Sequence, residues 1–331
     1  MQPPYTPTSP QHRKRNTRTI KEIPNESKNS TLVWPMSVQS TASVSVPVQV
    51  EMNILPVLAR WGHTERGMML SQPSFRLPMI RNACRKNNIQ LIQALSLRRT
   101  YIKYLNPYKS MEALGLGLTS QIRQSATLFE QAVATFLTQQ GLQFYTEEDQ
   151  KELFFQEQQQ ESFDTVKTDS TIHGDTDNNN IETTDTNIQS QRILLTPDFI
   201  FNPPIKLCKH YSKHGTHHQD HQHSTHLHHH HHNQHTTSHI IHWLEAKMFY
   251  GASTIPQGTN NAVGEIIEKV TKYMNHFGPG AIVFAYGCGE ELKREIENRN
   301  IQVLDSYPLD LSHLHDYQKT WCCNDQGEVL F

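Results

Sequence analysis

His239-Ile240-Ile241-His242-Trp243-Leu244-Glu245-Ala246-Lys247 is the stretch on which the reading of the whole chain turns. Ile240, Ile241, Trp243 and Leu244 favour a pleated strand with both faces largely out of water. An acid at the end of such a strand needs a reason to be there, because a buried carboxylate is costly unless it is partnered. Residues two apart on a strand share a face, so Glu245 and Lys247 project together while Ala246 points away.

Upstream, Ile193 to Phe201 reads as another strand, interrupted by Thr196-Pro197-Asp198. Proline has no ladder donor, so the chain there lies at a strand start, an edge or a bulge, a place where a carboxylate can be turned toward a site. Before it, about Gln121 to Gln140 is an amphipathic helix striped by Leu128, Phe129, Ala132, Val133, Phe136 and Leu137, with Glu130 on the edge of the stripe. After it, a helix is expected over about Ala262 to Phe277, closed by Gly278-Pro279-Gly280. Strands at Ala281 to Tyr286 and Ile301 to Leu304 flank a helix near Glu290 to Asn298. This order predicts an α/β architecture, a mixed sheet flanked by helices.

Composition sets the outline around that core. Only 36% of the 331 residues are hydrophobic, below the roughly 45 to 50% of compact chains, so part of the sequence is expected not to pack. Residues 1–50 read as a disordered polar tail; its basic cluster His12 to Arg15 is either a solvated charge run or a nuclear address. Residues 51–118 read as a smaller helical, helix-turn-helix-like region. Its basic residues, Arg76, Arg81, Arg85, Lys86, Arg98, Arg99, Lys103 and Lys109, suit either a phosphate-contacting surface or an ordinary solvated face. Residues 119–331 form the main domain, with disordered insertions at about 147–190 and 209–238. The second insertion is histidine-rich, His228 to His232 running consecutively; incidental low complexity is the plainer reading, a transition-metal buffer the sharper one.

The formal charge of -2 gives no chain-wide signal for a polyanion partner. The five cysteines make no Cys-x-x-Cys pair, and no apolar run approaches the roughly 20 residues that span a bilayer. No membrane association is expected, and an intracellular compartment is the default.

Two carboxylates, Asp198 and Glu245, with a nearby carbonyl are the oxygen set that Mg²⁺ or Mn²⁺ prefers, and Lys247 beside a metal-bound water would favour hydroxide and steady charge on an attacked phosphate. Lys269 and Tyr273, on one flank of the later helix, are placed to contact a phosphate or to support the site.

Leu195 to Phe201, His239 to Lys247 and Asn275-His276-Phe277-Gly278-Pro279-Gly280 resemble, in the same order, three phrases of the TPD-motif nucleases, the codanin-interacting nuclease family. The resemblance runs from about Gln121 to Leu304 outside the insertions. It implies a restriction-endonuclease-like PD-(D/E)XK core and gives Asp198, Glu245 and Lys247 active-site roles, with Glu130 as the helix acid. It further implies DNA as substrate, a codanin-like protein as partner, a helix-turn-helix-like N-terminal region, and residence in the nucleus with a cytoplasmic pool. Two positions depart from the family pattern: Ala246 stands where serine is frequent, and Lys269 where glutamine is more usual. The expected function is therefore metal-dependent hydrolysis of DNA; the alternative is a catalytically weak or inactive nuclease-fold scaffold that binds a codanin-like partner or structured DNA.

Overall fold

The computed structural model describes residues 30–37, 45–59, 77–114, 116–156, 195–212 and 237–322. Its centre is a six-stranded mixed sheet. In chain order the strands are β1 (Thr31–Ser37), β2 (Ser45–Val46), β3 (Tyr145–Thr146), β4 (Phe199–Ser212), β5 (Thr237–Lys247), β6 (Gly280–Phe284), β7 (Cys288–Gly289) and β8 (Ile301–Asp305). The large sheet runs β1-β4-β5-β6-β8, with β3 on the free edge of β4, and β2 pairs with β7 separately. The helices are α1 (Val48–Ala59), α2 (Leu77–Asn87), α3 (Leu91–Leu105), α4 (Thr119–Gln139), α5 (residues 147–156), α6 (Ile266–Phe277), α7 (Glu290–Glu297) and α8 (Ser312–Lys319). The α/β, restriction-endonuclease-like sheet flanked by helices expected from the sequence is present.

Two βαβ crossovers build the parallel half: β5 pairs parallel with β6 across α6, and β6 parallel with β8 across α7. The first crossover explains the Phe277 to Gly280 phrase. Gly278, at φ +89°, ends α6 in a backbone region that side chains resist, and its carbonyl accepts the Trp243 indole N–H at 2.8 Å. A Cβ on Gly280 would come within 2.1 Å of the Trp243 ring, so only glycine lets that indole lie against β6.

β4 and β5 are antiparallel, Phe199 facing Leu244 at one end and Lys209 facing Thr237 at the other, with a register break between Ile200 and Ile205 that contains Pro203 and Pro204. The histidine-rich segment leaves and re-enters the sheet at the Lys209–Thr237 end. Seven strand residues, roughly 23 Å, separate that end from Leu244, beside Glu245. His228 to His232 themselves lie outside the described residues, as do His12 to Arg15 and most of both expected insertions.

Three boundaries differ from expectation. Thr31–Ser37, within the expected tail, is a strand paired in parallel with β4, because Leu32, Trp34 and Met36 alternate inward and are buried. Residues 147–156, assigned to the first insertion, are helical: Thr146 and Asp149 form a reciprocal cap, with the Thr146 N–H donating to Asp149 Oδ2 at 2.8 Å and the Asp149 N–H to Thr146 Oγ1 at 3.3 Å. β4 also continues to Ser212, past the expected start of the second insertion.

The helical region shares its core with the sheet. Ile54, Leu58, Ile80, Leu95 and Leu97 belong to the same apolar cluster as Trp243 and Ile282. Glu51 of α1, fully buried, accepts hydrogen bonds from Tyr250 Oη (2.7 Å), Ser253 N (3.1 Å) and both N and Oγ1 of Thr254 (2.9 Å each), tying α1 to the segment that follows β5. α2 and α3 form a helix-turn-helix pair around Asn88 (φ +50°), yet Arg98 and Arg99 of α3 are buried, so this second helix does not present them to a phosphate backbone. Arg85 and Lys86 on α2 are exposed, and Arg76 lies outside the described residues.

Trp34 is fully buried, and its indole N–H donates to the Asp305 carbonyl of β8 at 3.0 Å, linking strands at opposite ends of the sheet order. Trp34→Ala is expected to cost about 3–5 kcal/mol, read as a large drop in melting temperature. An unchanged melting curve would mean that this strand does not pack as described.

Candidate active site

Asp198 immediately precedes β4 and faces the end of β5. Its backbone N–H donates to Glu245 Oε2 at 3.2 Å, while its own Oδ2 accepts the Ala246 N–H at 2.6 Å. The two acids thus clamp each other's strand. The residues before Asp198 are held as firmly: the Thr196 carbonyl accepts the Tyr273 hydroxyl at 2.9 Å, and the Pro197 carbonyl accepts Gln150 Nε2 at 2.8 Å. Pro197 suits this crowded turn because it has no N–H to leave unmet.

Lys247 completes the cluster. Its ammonium donates to Glu245 Oε1 and, at 3.2 Å, to the Ala246 carbonyl, and stands 3.9 Å from Asp198 Oδ2. Lys269, one turn before Tyr273 on α6, brings a second ammonium to Glu245 Oε1 at 2.7 Å and lies 5.5 Å from the Tyr273 ring centroid. Its side chain is 46% exposed, whereas Glu245 is fully buried. Two carboxylates and two ammonium groups therefore share one small volume at the junction of β4, β5 and α6.

The sequence-predicted residues separate into three groups. Asp198, Glu245, Lys247 and Lys269 meet directly. Tyr273 lies behind them, buried, with its hydroxyl on the Thr196 carbonyl. Glu130 on α4 stands outside that cluster and lines a cavity together with Lys247. Gln150, whose amide holds Pro197, is a support that the sequence reading did not single out, and Ala246, whose side chain was read as pointing away, holds Asp198 through its backbone N–H. For Gln150 the usable signal was the Thr146-x-x-Asp149 cap, hidden in a polar stretch.

Burial pushes the Asp198 carboxyl up to about 7; the neighbouring Glu245 charge adds to the rise, and Lys247 with the Ala246 N–H opposes it. For Glu245 burial acts upward too, but Lys247 and Lys269 outweigh it and hold the carboxyl below the ordinary range. Lys247 stays charged: burial alone would lower it, and Glu245 and Asp198 more than compensate. Burial, opposed by Lys247, also raises Glu130. Asp198 is thus the member of the pair that keeps a proton toward neutrality.

Among the described residues no group of three or more His, Cys, Asp or Glu side chains stands close enough to hold a metal ion. What the site offers is two carboxylates and the Ala246 carbonyl, all hard oxygen. This set fits a divalent cation that keeps part of its water shell, such as Mg²⁺ or Mn²⁺, and not one that needs nitrogen or sulfur ligands.

The family model described as "Protein of unknown function TPD sequence-motif" matches residues 166–307, a span that contains Asp198, Glu245, Lys247 and α6. Among curated proteins the chain is similar to CDAN1-interacting nuclease 1 of Gallus gallus, 36% identical over 73 residues, which is 22% of this chain and 24% of that protein. It is likewise similar to the proteins of that name from Danio rerio, 34% identical over 76 residues (23% of each chain), and Xenopus tropicalis, 34% identical over 73 residues (22% of each). The chain spans about a quarter of the length of the curated relatives it matches. No solved structure matches it. The resemblance to the codanin-interacting nuclease family, read from three sequence phrases, holds.

A raised acid pKa fixes the sign of a pH effect. Between the ordinary Asp range near 4 and about 7, folded Asp198 holds a proton that the unfolded chain has released, so its contribution to stability falls as pH rises through that window. Asp198→Asn, which keeps an acceptor for the Ala246 N–H, is expected to remove this slope. In chelator, the melting temperature of the wild type should fall between pH 5 and pH 8 by a few degrees more than that of the variant. Parallel curves for the two proteins would refute the assignment.

Proposed function

We propose that this protein is a divalent-metal-dependent nuclease that hydrolyses DNA phosphodiester bonds. The observation that carries the reading is the reciprocal clamp of Asp198 and Glu245, with the Lys247 ammonium lying against both carboxylates. A charged trio in a nearly dry site, held by backbone hydrogen bonds from two strands, is poorly explained by stability alone, because buried ion pairs seldom repay their desolvation. The names of the relatives, CDAN1-interacting nucleases, agree with the reading and suggest a codanin-like partner for this chain as well.

In this scheme Asp198, Glu245 and the Ala246 carbonyl hold Mg²⁺ or Mn²⁺. The bound ion supplies positive charge to the phosphate oxygens and acidifies a water. Lys247, kept protonated by its two acids, orients the attacking water and steadies charge on the phosphate. Tyr273 acts through the Thr196 carbonyl, fixing the turn that presents Asp198. Lys269 has a different part from direct phosphate contact: its ammonium occupies the Glu245 oxygen that a cation would use, so it would compete with the cation for that oxygen, and half of its side chain already lies in solvent.

One observation favours a second reading, a nuclease-fold scaffold without cleavage: the two ammonium groups on Glu245 Oε1 can neutralise the acid pair with no metal bound. A scaffold binds DNA in Mg²⁺ and in Mn²⁺ and cuts in neither.

Lys247→Ala is expected to lower DNA cleavage by about 10²-fold or more in a protein that is still folded at the assay temperature, with a lower melting temperature because Glu245 loses a partner; a folded and fully active variant would remove Lys247 from the chemistry. Lys269→Gln is expected to tighten Mn²⁺ binding, measured calorimetrically, by roughly three- to tenfold. An unchanged or weaker affinity would show that Lys269 does not compete with the cation.

A further inference from the structure

On the side of β5 that faces the helical region there is a cavity of about 350 Å³. α3 and α4 form two of its walls and residues 246–249 and 261–263 most of the remainder. Its volume falls within the roughly 300–1,000 Å³ of small-molecule sites. Most of the surface is apolar: Met111, Ile122, Ala126, Met248, Phe249 and Val263 contribute side chains. The ring of Phe249 is only half-buried, and the two thioethers are well suited to lie against an aromatic ring.

The polar groups in the walls are largely engaged elsewhere. Ser96 Oγ accepts the Tyr250 N–H at 2.9 Å, and Asn261 Oδ1 accepts the N–H groups of Val263 and Gly264, each at 3.1 Å. The Lys103 ammonium donates to the carbonyls of Pro107 (2.8 Å) and Lys109 (2.7 Å). Glu130 is different: its half-buried carboxyl lies in the cavity wall. It is also the one acid in a lining that carries Arg99, Lys103 and Lys247. The cavity thus offers a mostly apolar lining, a carboxylate that can accept N–H donors, and the proposed catalytic lysine in its wall.

We propose that this cavity takes one nucleobase of the substrate, from the nucleotide beside the scissile phosphate, turned out of its stack. A nucleobase is the ligand with this combination: a planar ring for the Phe249 and methionine walls, edge N–H groups for Glu130, and a phosphate linkage to bring to Lys247. A stacked base pair cannot enter. Turning a base out costs a few kcal/mol in duplex and least where the strand is already unpaired, so the preferred substrate is a flap, overhang or single strand in place of continuous duplex. The inference rests on the nuclease reading of the same site and names its substrate class.

The full chain, with Ca²⁺ in place of Mg²⁺, is titrated against three DNAs: a single strand carrying one 2-aminopurine, the same strand with an abasic residue placed at each position in turn, and the fully paired duplex. The expected result is a change in 2-aminopurine emission on binding and, at one abasic position, a loss of affinity of roughly tenfold or more. Ala126→Phe, which takes up part of the cavity, should erase that difference while leaving the melting curve and duplex binding as they were. Equal affinity for intact and abasic strands overturns the proposal without any protein variant, and a folded Ala126→Phe protein that still discriminates overturns it too. Base-dependent binding with no cleavage in Mg²⁺ or Mn²⁺ would sink the nuclease reading and leave the pocket standing. Equal cleavage of intact and abasic strands would do the reverse.

Discussion

Glu245, a carboxylate with no exposure to water at the end of a central strand, is the constraint around which this part of the molecule is arranged. A bare charge there would be prohibitive. The chain meets it with the Asp198 N–H on one oxygen and the ammonium groups of Lys247 and Lys269 on the other. Each partner arrives on a different element: the turn into β4, β5 itself, and α6. Satisfying one buried oxygen pair therefore fixes the strand register, the start of β4 and the rotation of α6 together.

The rest of the fold serves that arrangement. Trp243, two residues before Glu245, is pinned by the Gly278 carbonyl and lies on Gly280, which sets where α6 ends and β6 begins. Tyr273 packs edge-on against the same indole at 5.3 Å and reaches the Thr196 carbonyl, so the aromatic stack behind β5 continues directly into the turn that holds Asp198. On the opposite side, Glu51 carries the N-terminal helices onto the segment after β5. They form one wall of the cavity beside Lys247 and share the core of the sheet.

Much of this was legible in the sequence. Period-two spacing placed Glu245 and Lys247 on one face, and the Pro197 break marked the turn that carries Asp198. The apolar stripes of α4 and α6 and the glycine stop of α6 were equally plain. Elements that depend on distant partners were not. Thr31–Ser37 has Leu32, Trp34 and Met36 at strand spacing, but a seven-residue strand in a Pro- and Ser-rich stretch gains its stability from β4 and β8, more than 160 residues later. α5, polar apart from Leu153, Phe154 and Phe155, was swallowed by the composition around it, although its cap was written in Thr146 and Asp149. Arg98 and Arg99 read as surface charge because sequence reports residue type and not which face of α3 is covered. Lys269 was placed on the correct flank of its helix, yet nothing local to it indicated that its ammonium would end on Glu245.

The central claim is that Asp198 and Glu245 together bind one divalent cation. Anomalous diffraction at the manganese edge, from crystals grown in Mn²⁺, tests it most directly. The expected result is a single strong peak within bonding distance of both carboxylates and the Ala246 carbonyl, with the Lys269 ammonium moved off Glu245. A peak elsewhere, or none at saturating Mn²⁺ with the four side chains still paired as they are, would contradict the account.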